Sequence, residues 1–326
     1  MKAFALAFLV AVSATAQADE ALRREALALF GMLPAPAAVT AEAELGRALF
    51  WDERLSLDGK TSCGSCHFAR NWGADPRRFS PDARGALTSR HSPTVFNSMG
   101  QPALRWLGDR KSGADQAESS LTGSLGFASK DSALEKLRQL DYLPAFRAAY
   151  PNEAQPMNTR SYAQAVAAYQ ATLTTPAAFD RFLAGDDAAL SAPQKLGLRA
   201  FMSTGCSACH HGALLGGSSN QRFGVAKDYW LETGSVKVDV GRFAATKKEE
   251  DRNVFRVPML RNVAKTAPYF HDGSVDDLGR AVRIMGSLQL GRTLDDGTVE
   301  SIVKFLGSLT GEVPANYAPP GRKPEF

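Results

Sequence analysis

Charge of one sign, long apolar runs and strand patterns are all in short supply in this sequence. Its 38 Lys and Arg against 34 Asp and Glu give a net charge of only +4, which supplies no electrostatic footprint for nucleic acid. Beyond the first eighteen residues no segment is long and apolar enough to qualify as a membrane span. Alternating apolar patterns are rare; Ser235 to Val240 is the best short strand candidate, and no βαβ pattern is visible. Cysteine is limited to four residues and histidine to five (His67, His91, His210, His211 and His271), so the choices for covalent or metal chemistry are few.

All four cysteines fall in two short strings, Cys63-Gly64-Ser65-Cys66-His67 and Cys206-Ser207-Ala208-Cys209-His210. Each is a CxxCH, the attachment signature of c-type haem. The two thiols form thioethers to the porphyrin, and the adjacent histidine becomes an axial iron ligand. Two readings compete with this one. A zinc site needs four closing ligands, and a redox CxxC needs no histidine behind it but does need a βαβ context. Two complete motifs with no cysteine left over favour two covalent haems, held by Cys63, Cys66, Cys206 and Cys209, with His67 and His210 as proximal ligands. No cysteine remains for a structural disulfide.

The N-terminus reads as a secretory signal. Lys2 is the positive region, Ala3 to Val12 the apolar core, and Ala16-Gln17-Ala18 an A-x-A site with cleavage after Ala18. Export fits covalent haem and points to the periplasm. About 308 residues would remain, enough for two domains. Losing Lys2 takes the charge from +4 to +3. Two haems would add roughly four propionate carboxylates and bring the loaded protein near neutral.

One theme occurs twice: a helix, a CxxCH, then a loop-rich stretch. Thr40 can cap a helix through Leu45 and Leu49. Ser191-Ala192-Pro193-Gln194 reads as a capping box opening a helix through Leu196, Leu198 and Phe201. Between them, Ser132 and Ser161 begin further capping boxes. Leu278, Ala281, Val282 and Met285 lie on one helical face, as do Val299, Ile302, Val303 and Leu306. The expected fold is mainly α and loop-rich, with two cytochrome-c-like domains carrying one haem each. The expected divisions are 1–18 for the signal, 19–187 for the first domain and 188–326 for the second, with the boundary near Gly185-Asp186-Asp187.

Longer strings carry a resemblance. They include Leu45-Gly46-Arg47-Ala48-Leu49-Phe50, Arg54-Leu55-Ser56, Ser92-Pro93-Thr94 and Phe179-Asp180-Arg181-Phe182-Leu183-Ala184-Gly185-Asp186. Gly241-Arg242-Phe243, Leu260-Arg261-Asn262-Val263 and Thr266-Ala267-Pro268-Tyr269-Phe270-His271-Asp272-Gly273 follow. With the two CxxCH motifs, the chain resembles the bacterial dihaem cytochrome c peroxidase family, which includes the MauG-like enzymes. The match runs through almost all of the sequence beyond Ala18.

The resemblance implies a division of labour. The second haem, ligated by His210 and Met285, would take up electrons; on spacing alone Met285 reads better as core, and the resemblance reverses that. The first haem would meet hydrogen peroxide. Trp106 matches a tryptophan between the haems and Gln116 a glutamine on the distal side. Thr266 and Pro268 match residues whose carbonyls bind calcium. The implied electron donor is a small c-type cytochrome or cupredoxin, and a homodimer is compatible with this reading.

The sequence also departs from the family. The switchable distal histidine aligns with Ala83 and the distal glutamate with Gly126. A calcium-binding asparagine aligns with His91, and imidazole suits that hard cation poorly. The expectations that follow are a first haem open without reductive activation or, as the alternative, His91 brought over the iron by a loop shift, and Glu118 (with Asp115 behind it) as a substitute acid. Two other functions stay open: a non-catalytic dihaem electron carrier or sensor, and a MauG-like oxidase of a partner protein. Met285 argues against the second, because the protein-modifying branch carries tyrosine at that position.

Overall fold

The computed structural model describes residues 17–326. The apolar core of the expected signal lies outside them. Asp19, the expected first residue after cleavage, pairs with Lys195 at 2.6 Å. Helix α1 covers 17–30, followed by α2 (Ala41–Trp51) and the first CxxCH as a short 3-10 turn, Cys63–Ser65. After a long loop come α3 (Gly113–Thr122), α4 (Lys130–Gln139), α5 (Leu143–Ala149), α6 (Thr159–Ala171) and α7 (Ala178–Leu183). Helix α8 (Ala192–Ser203) leads to the second motif turn, Cys206–Ala208. The rest holds α9 (Trp230–Thr233), α10 (Phe243–Thr246), α11 (Leu278–Leu290) and α12 (Asp296–Gly307). The strands β1 (Asn220–Arg222) and β2 (Val254–Arg256) pair antiparallel, with Gln221 opposite Phe255.

Local chemistry sets most helix starts. The Thr40 hydroxyl accepts from the Ala43 N–H, and Ser191 with Gln194 closes the expected capping box. Two starts lie three residues earlier than the sequence suggested. Ser129 caps α4 with Ser132 as its box partner, and Asn158 caps α6 through the Ser161 N–H. Ser235 to Val240 is not a strand. The Asp239 N–H goes to the Tyr229 hydroxyl, and Val236 and Val238 stand exposed with no neighbouring strand.

The repeat seen in the sequence is also a repeat in packing. Helix α2 crosses α6, and α8 crosses α12, each through a glycine against a backbone carbonyl. A Cβ on Gly46 would stand 1.8 Å from the Ala165 oxygen, and one on Gly197 would stand 1.8 Å from the Ser301 oxygen. Tyr169 and Phe305, one turn further on, close each crossing. Glycine is what lets each motif-bearing segment seat against its partner helix at this distance.

The hydrophobic cores do not follow a cut near residue 187. One core gathers Leu45, Phe50, Phe96, Leu121 and Tyr169 but also takes in Tyr317 from the C-terminal end. A second joins Leu198, Phe201, Ile302 and Phe305 to Phe30 of α1 and Phe179 and Phe182 of α7. A buried ion pair fixes α7 there. Arg261 donates Nη1 and Nη2 to the two Asp180 carboxylate oxygens at 2.5 and 2.9 Å, and the Ala177 N–H donates to Oδ2 at 2.8 Å. Arg261 is 1% exposed. Asp180→Ala would leave that guanidinium buried without a counter-charge and is expected to cost about 3–5 kcal/mol. Denaturant unfolding checks this, and the pair-removing double variant Asp180→Leu/Arg261→Met should recover part of the loss.

Candidate functional site

The two motifs fold alike. In each, the N–H of the second cysteine and that of the histidine donate back to the carbonyl of the first cysteine. The histidine side chains are fixed alike as well. His67 Nδ1–H donates to the Gly73 carbonyl at 2.8 Å, and His210 Nδ1–H to the Leu215 carbonyl at 3.1 Å. A carbonyl can only accept, so the proton sits on Nδ1 and Nε2 keeps its lone pair. Burial lowers the proton affinity of both imidazoles, that of His210 to about 4. Both are therefore neutral, as an iron ligand must be.

Both motifs open into one cavity of about 680 Å³. Cys63, Cys66, His67, Cys206, Cys209 and His210 border it, together with His91, Trp106, Gln116, Met285, Thr266 and Pro268. The surroundings suit covalent haem better than zinc. Burial raises the proton affinity of all four thiols, that of Cys63 to about 12. Among the described residues no group of three or more His, Cys, Asp or Glu is placed to close around a metal ion. The cavity wall also carries Arg256, 5% exposed and without a carboxylate partner among the described residues, its affinity for protons lowered by burial to about 10. A buried guanidinium facing a cavity fits an anionic group such as a haem propionate.

Trp106, on this wall, ties the halves together. Its indole N–H donates to the His91 carbonyl at 2.9 Å, and its carbonyl accepts the Arg256 N–H at 2.8 Å. It shares a core with Phe223, Phe255, Phe270 and Ile284, against which Met285 packs. His91 is held by three contacts: its N–H donates to the His271 carbonyl at 2.8 Å, Nδ1–H to the Arg77 carbonyl at 3.2 Å, and its carbonyl receives Trp106.

The distal side differs from the sequence expectation. Gln116 borders the cavity and accepts from Arg105 Nε at 2.5 Å. Glu118 does not border it; the carboxylate is tied to Lys130 at 2.8 Å and Thr159 at 2.9 Å, and Lys130 holds its proton affinity below the usual range. The reason is geometric. Both residues lie in α3, where positions i and i+2 face away from one another. Asp115 accepts from the Lys111 N–H at the start of the same helix. Among the described residues, the carboxylates that border the cavity are Asp82 and Asp109. Asp82 is used by the N–H groups of Arg84 and Ala86. Asp109 has one oxygen, Oδ1, buried with no hydrogen-bond partner. No motif marks Asp109, Arg105 or Arg256 in the sequence; an arginine and an aspartate flanking Trp106 were the available signal.

The two departures meet in space. A Cβ on Gly126 would stand 3.1 Å from the Cβ atoms of Ala83 and Leu57, at a φ of +81°. The Ala83 N–H donates to the Ser124 carbonyl at 2.9 Å, and Arg84 reaches the carbonyls of Thr122 and Gly123. The 82–86 turn is thus stitched to the end of α3. Neither Ala83 nor Gly126 borders the cavity.

Comparison with known proteins agrees with this architecture. The family model described as di-haem cytochrome c peroxidase matches residues 40–188. The chain is 44% identical to cytochrome c551 peroxidase of Pseudomonas aeruginosa, over 92% of this chain and 89% of that protein. It is 38% identical to cytochrome c551 peroxidase of Nitrosomonas europaea, over 83% and 80%. The crystal structure of a MauG-like protein associated with microbial copper homeostasis superimposes with a TM-score of 0.77 at 25% identity, covering 89% of this chain and 97% of that one. Two CxxCH turns on one cavity, in a chain this close to those relatives, place it in the di-haem cytochrome c peroxidase family, as an oxidoreductase of the cytochrome c peroxidase type with two c-type haems.

Proposed function

We propose that the chain reduces hydrogen peroxide to water at the centre held by His67. Electrons would enter at the centre held by His210 and Met285, from a small c-type cytochrome or cupredoxin in the periplasm. The observation that carries this reading is the single cavity bordered by both motifs, Met285 and Trp106. A c-type haem bound there supplies an iron that changes oxidation state and, on an open face, takes a small ligand.

The chain's own residues divide the work. The Met285 thioether favours the reduced iron and suits the entry site. Trp106, hydrogen-bonded to a loop of the first half and to β2 of the second, lies on the route between the centres. Arg105 orients the Gln116 amide and puts positive charge beside it. Asp109 carries the proton in place of Glu118. With Ala83 turned out of the cavity and its loop stitched to α3, no histidine at that position has to leave before peroxide binds.

Export is supported by the N-terminal pattern and the covalent haem motifs. No helix among the described residues is long and apolar enough to cross a membrane.

Rapid mixing of the holoprotein with peroxide and a reduced small c-type cytochrome tests the reading, with and without prior reduction of one haem. Fast donor oxidation is expected in both preparations. Turnover only after pre-reduction would reveal a hidden distal ligand, with His91 the residue to replace first. Absence of turnover in both would overturn the peroxidase reading.

A further inference from the structure

Behind the first motif stands a group of oxidisable side chains that peroxide reduction does not require. Trp51, at the end of α2, lays its ring on the attachment loop; a Cβ on Gly64 would stand 2.3 Å from its Cζ3. The indole N–H donates to the Tyr169 hydroxyl oxygen at 3.0 Å. Its ring meets that of Tyr317 edge-on, 5.1 Å between centroids. Tyr317 O–H donates to the His67 carbonyl at 2.7 Å, and Tyr169 O–H to the Asn316 carbonyl at 2.9 Å. Both tyrosines are buried and Trp51 is partly exposed. The three side chains thus run in contact from the backbone of the proximal histidine to the surface.

Chemistry sets the direction along this path. Both phenols give their protons to backbone carbonyls, which are too weakly basic to take them, so an oxidised phenol has no nearby proton acceptor. An indole can lose an electron without losing a proton. Only Trp51 among the three is partly exposed, so that the resulting charge lies near solvent.

We propose that Trp51 is an outlet for oxidising equivalents left at the first centre when peroxide arrives and no donor protein is bound. The inference rests on the peroxide reaction proposed above. In each step one electron leaves the Trp51 indole, passing Tyr317, and reduces the oxidised centre by one equivalent. A soluble one-electron reductant then restores the indole cation at the surface. Where none arrives, loss of a second electron, addition of one water and release of two protons leave one oxygen on the ring. The protein gains protection, since equivalents exit at a surface side chain instead of attacking the haem or Met285.

The test treats holoprotein with peroxide in the absence of donor. It reads radicals by freeze-quench electron paramagnetic resonance, added oxygen by peptide mass spectrometry, and haem loss by absorbance. Donor-driven turnover is measured on the same preparations. The expected result is a tryptophan radical and oxygen at Trp51 ahead of the other aromatic residues. Trp51→Phe should lose both and bleach its haem several-fold faster, with donor-driven turnover unchanged. Tyr169→Phe guards against a folding failure of the first variant: it keeps the ring, removes the hydrogen-bond acceptor, and should alter the indole N–H coupling in the radical spectrum. Oxygen confined to Trp106 and Met285, or variants that match the wild type in every readout, would overturn the inference. If the wild type lacks donor-driven turnover, the peroxide reading fails and this inference with it; turnover without Trp51 oxidation sinks this inference alone.

Discussion

His67→Ala is expected to keep both haems covalently attached yet lose peroxide turnover to below detection. On the proposed reading, attachment depends on Cys63 and Cys66, whereas the imidazole, aimed by its Nδ1–H bond to Gly73, would be the proximal donor at the peroxide centre. Met285→Ala should fail differently. If Met285 is the ligand proposed above, removing its thioether takes away what favours the second centre's reduced form, and turnover driven by the protein donor should collapse. Turnover driven by a small chemical reductant that reaches the first centre directly should survive. Comparing the two donors across the two variants separates the centres. If Met285→Ala keeps full turnover with the protein donor, Met285 is packing in the core it shares with Trp106 and nothing more. Haem retention, read from the denatured protein's absorbance, guards against mistaking lost attachment for lost chemistry.

What could be read in the sequence follows from the range of the interactions involved. The CxxCH motifs are legible because five consecutive residues carry the attachment chemistry and fold on themselves. Thr40 and Ser191 are legible because a cap bonds within three residues. Ser132 and Ser161 misled for the same reason: each is the third residue of a turn whose cap, Ser129 or Asn158, is equally polar. Distant partnerships left no local trace. Tyr317 joins the first core across 250 residues to reach the His67 carbonyl, and Asp180 finds Arg261 across 81. Glu118 suggests itself in the sequence because Gln116 is two residues away. Sequence proximity holds along a loop, but in α3 a separation of two carries the side chain round to the far face.

Asp109→Asn is the variant that decides where the proton goes. Reducing peroxide to two waters consumes two electrons and two protons, and it requires one proton to move from the oxygen that binds to the oxygen that leaves. A neighbouring carboxylate can take it and return it. Among the described residues two carboxylates border the cavity, and Asp82 is already bonded within its own turn. Asp109 holds an unpartnered Oδ1, with Arg105 and Arg110 at 3.9 and 4.0 Å from Oδ2. Asparagine keeps the size and removes the proton carrier, so kcat/KM for peroxide should fall by about 10²–10⁴-fold, the usual worth of a positioned acid–base group. Reduction of the second centre by the donor should be unchanged, since Met285 and His210 are untouched. Glu118→Gln serves as the opposing control. Its carboxylate is bound to Lys130 and Thr159 off the cavity, so the variant should turn over peroxide at close to the wild-type rate. A large loss in Glu118→Gln with none in Asp109→Asn would mean that α3 rotates on loading with haem, and would return the proton to the residue that the sequence first suggested.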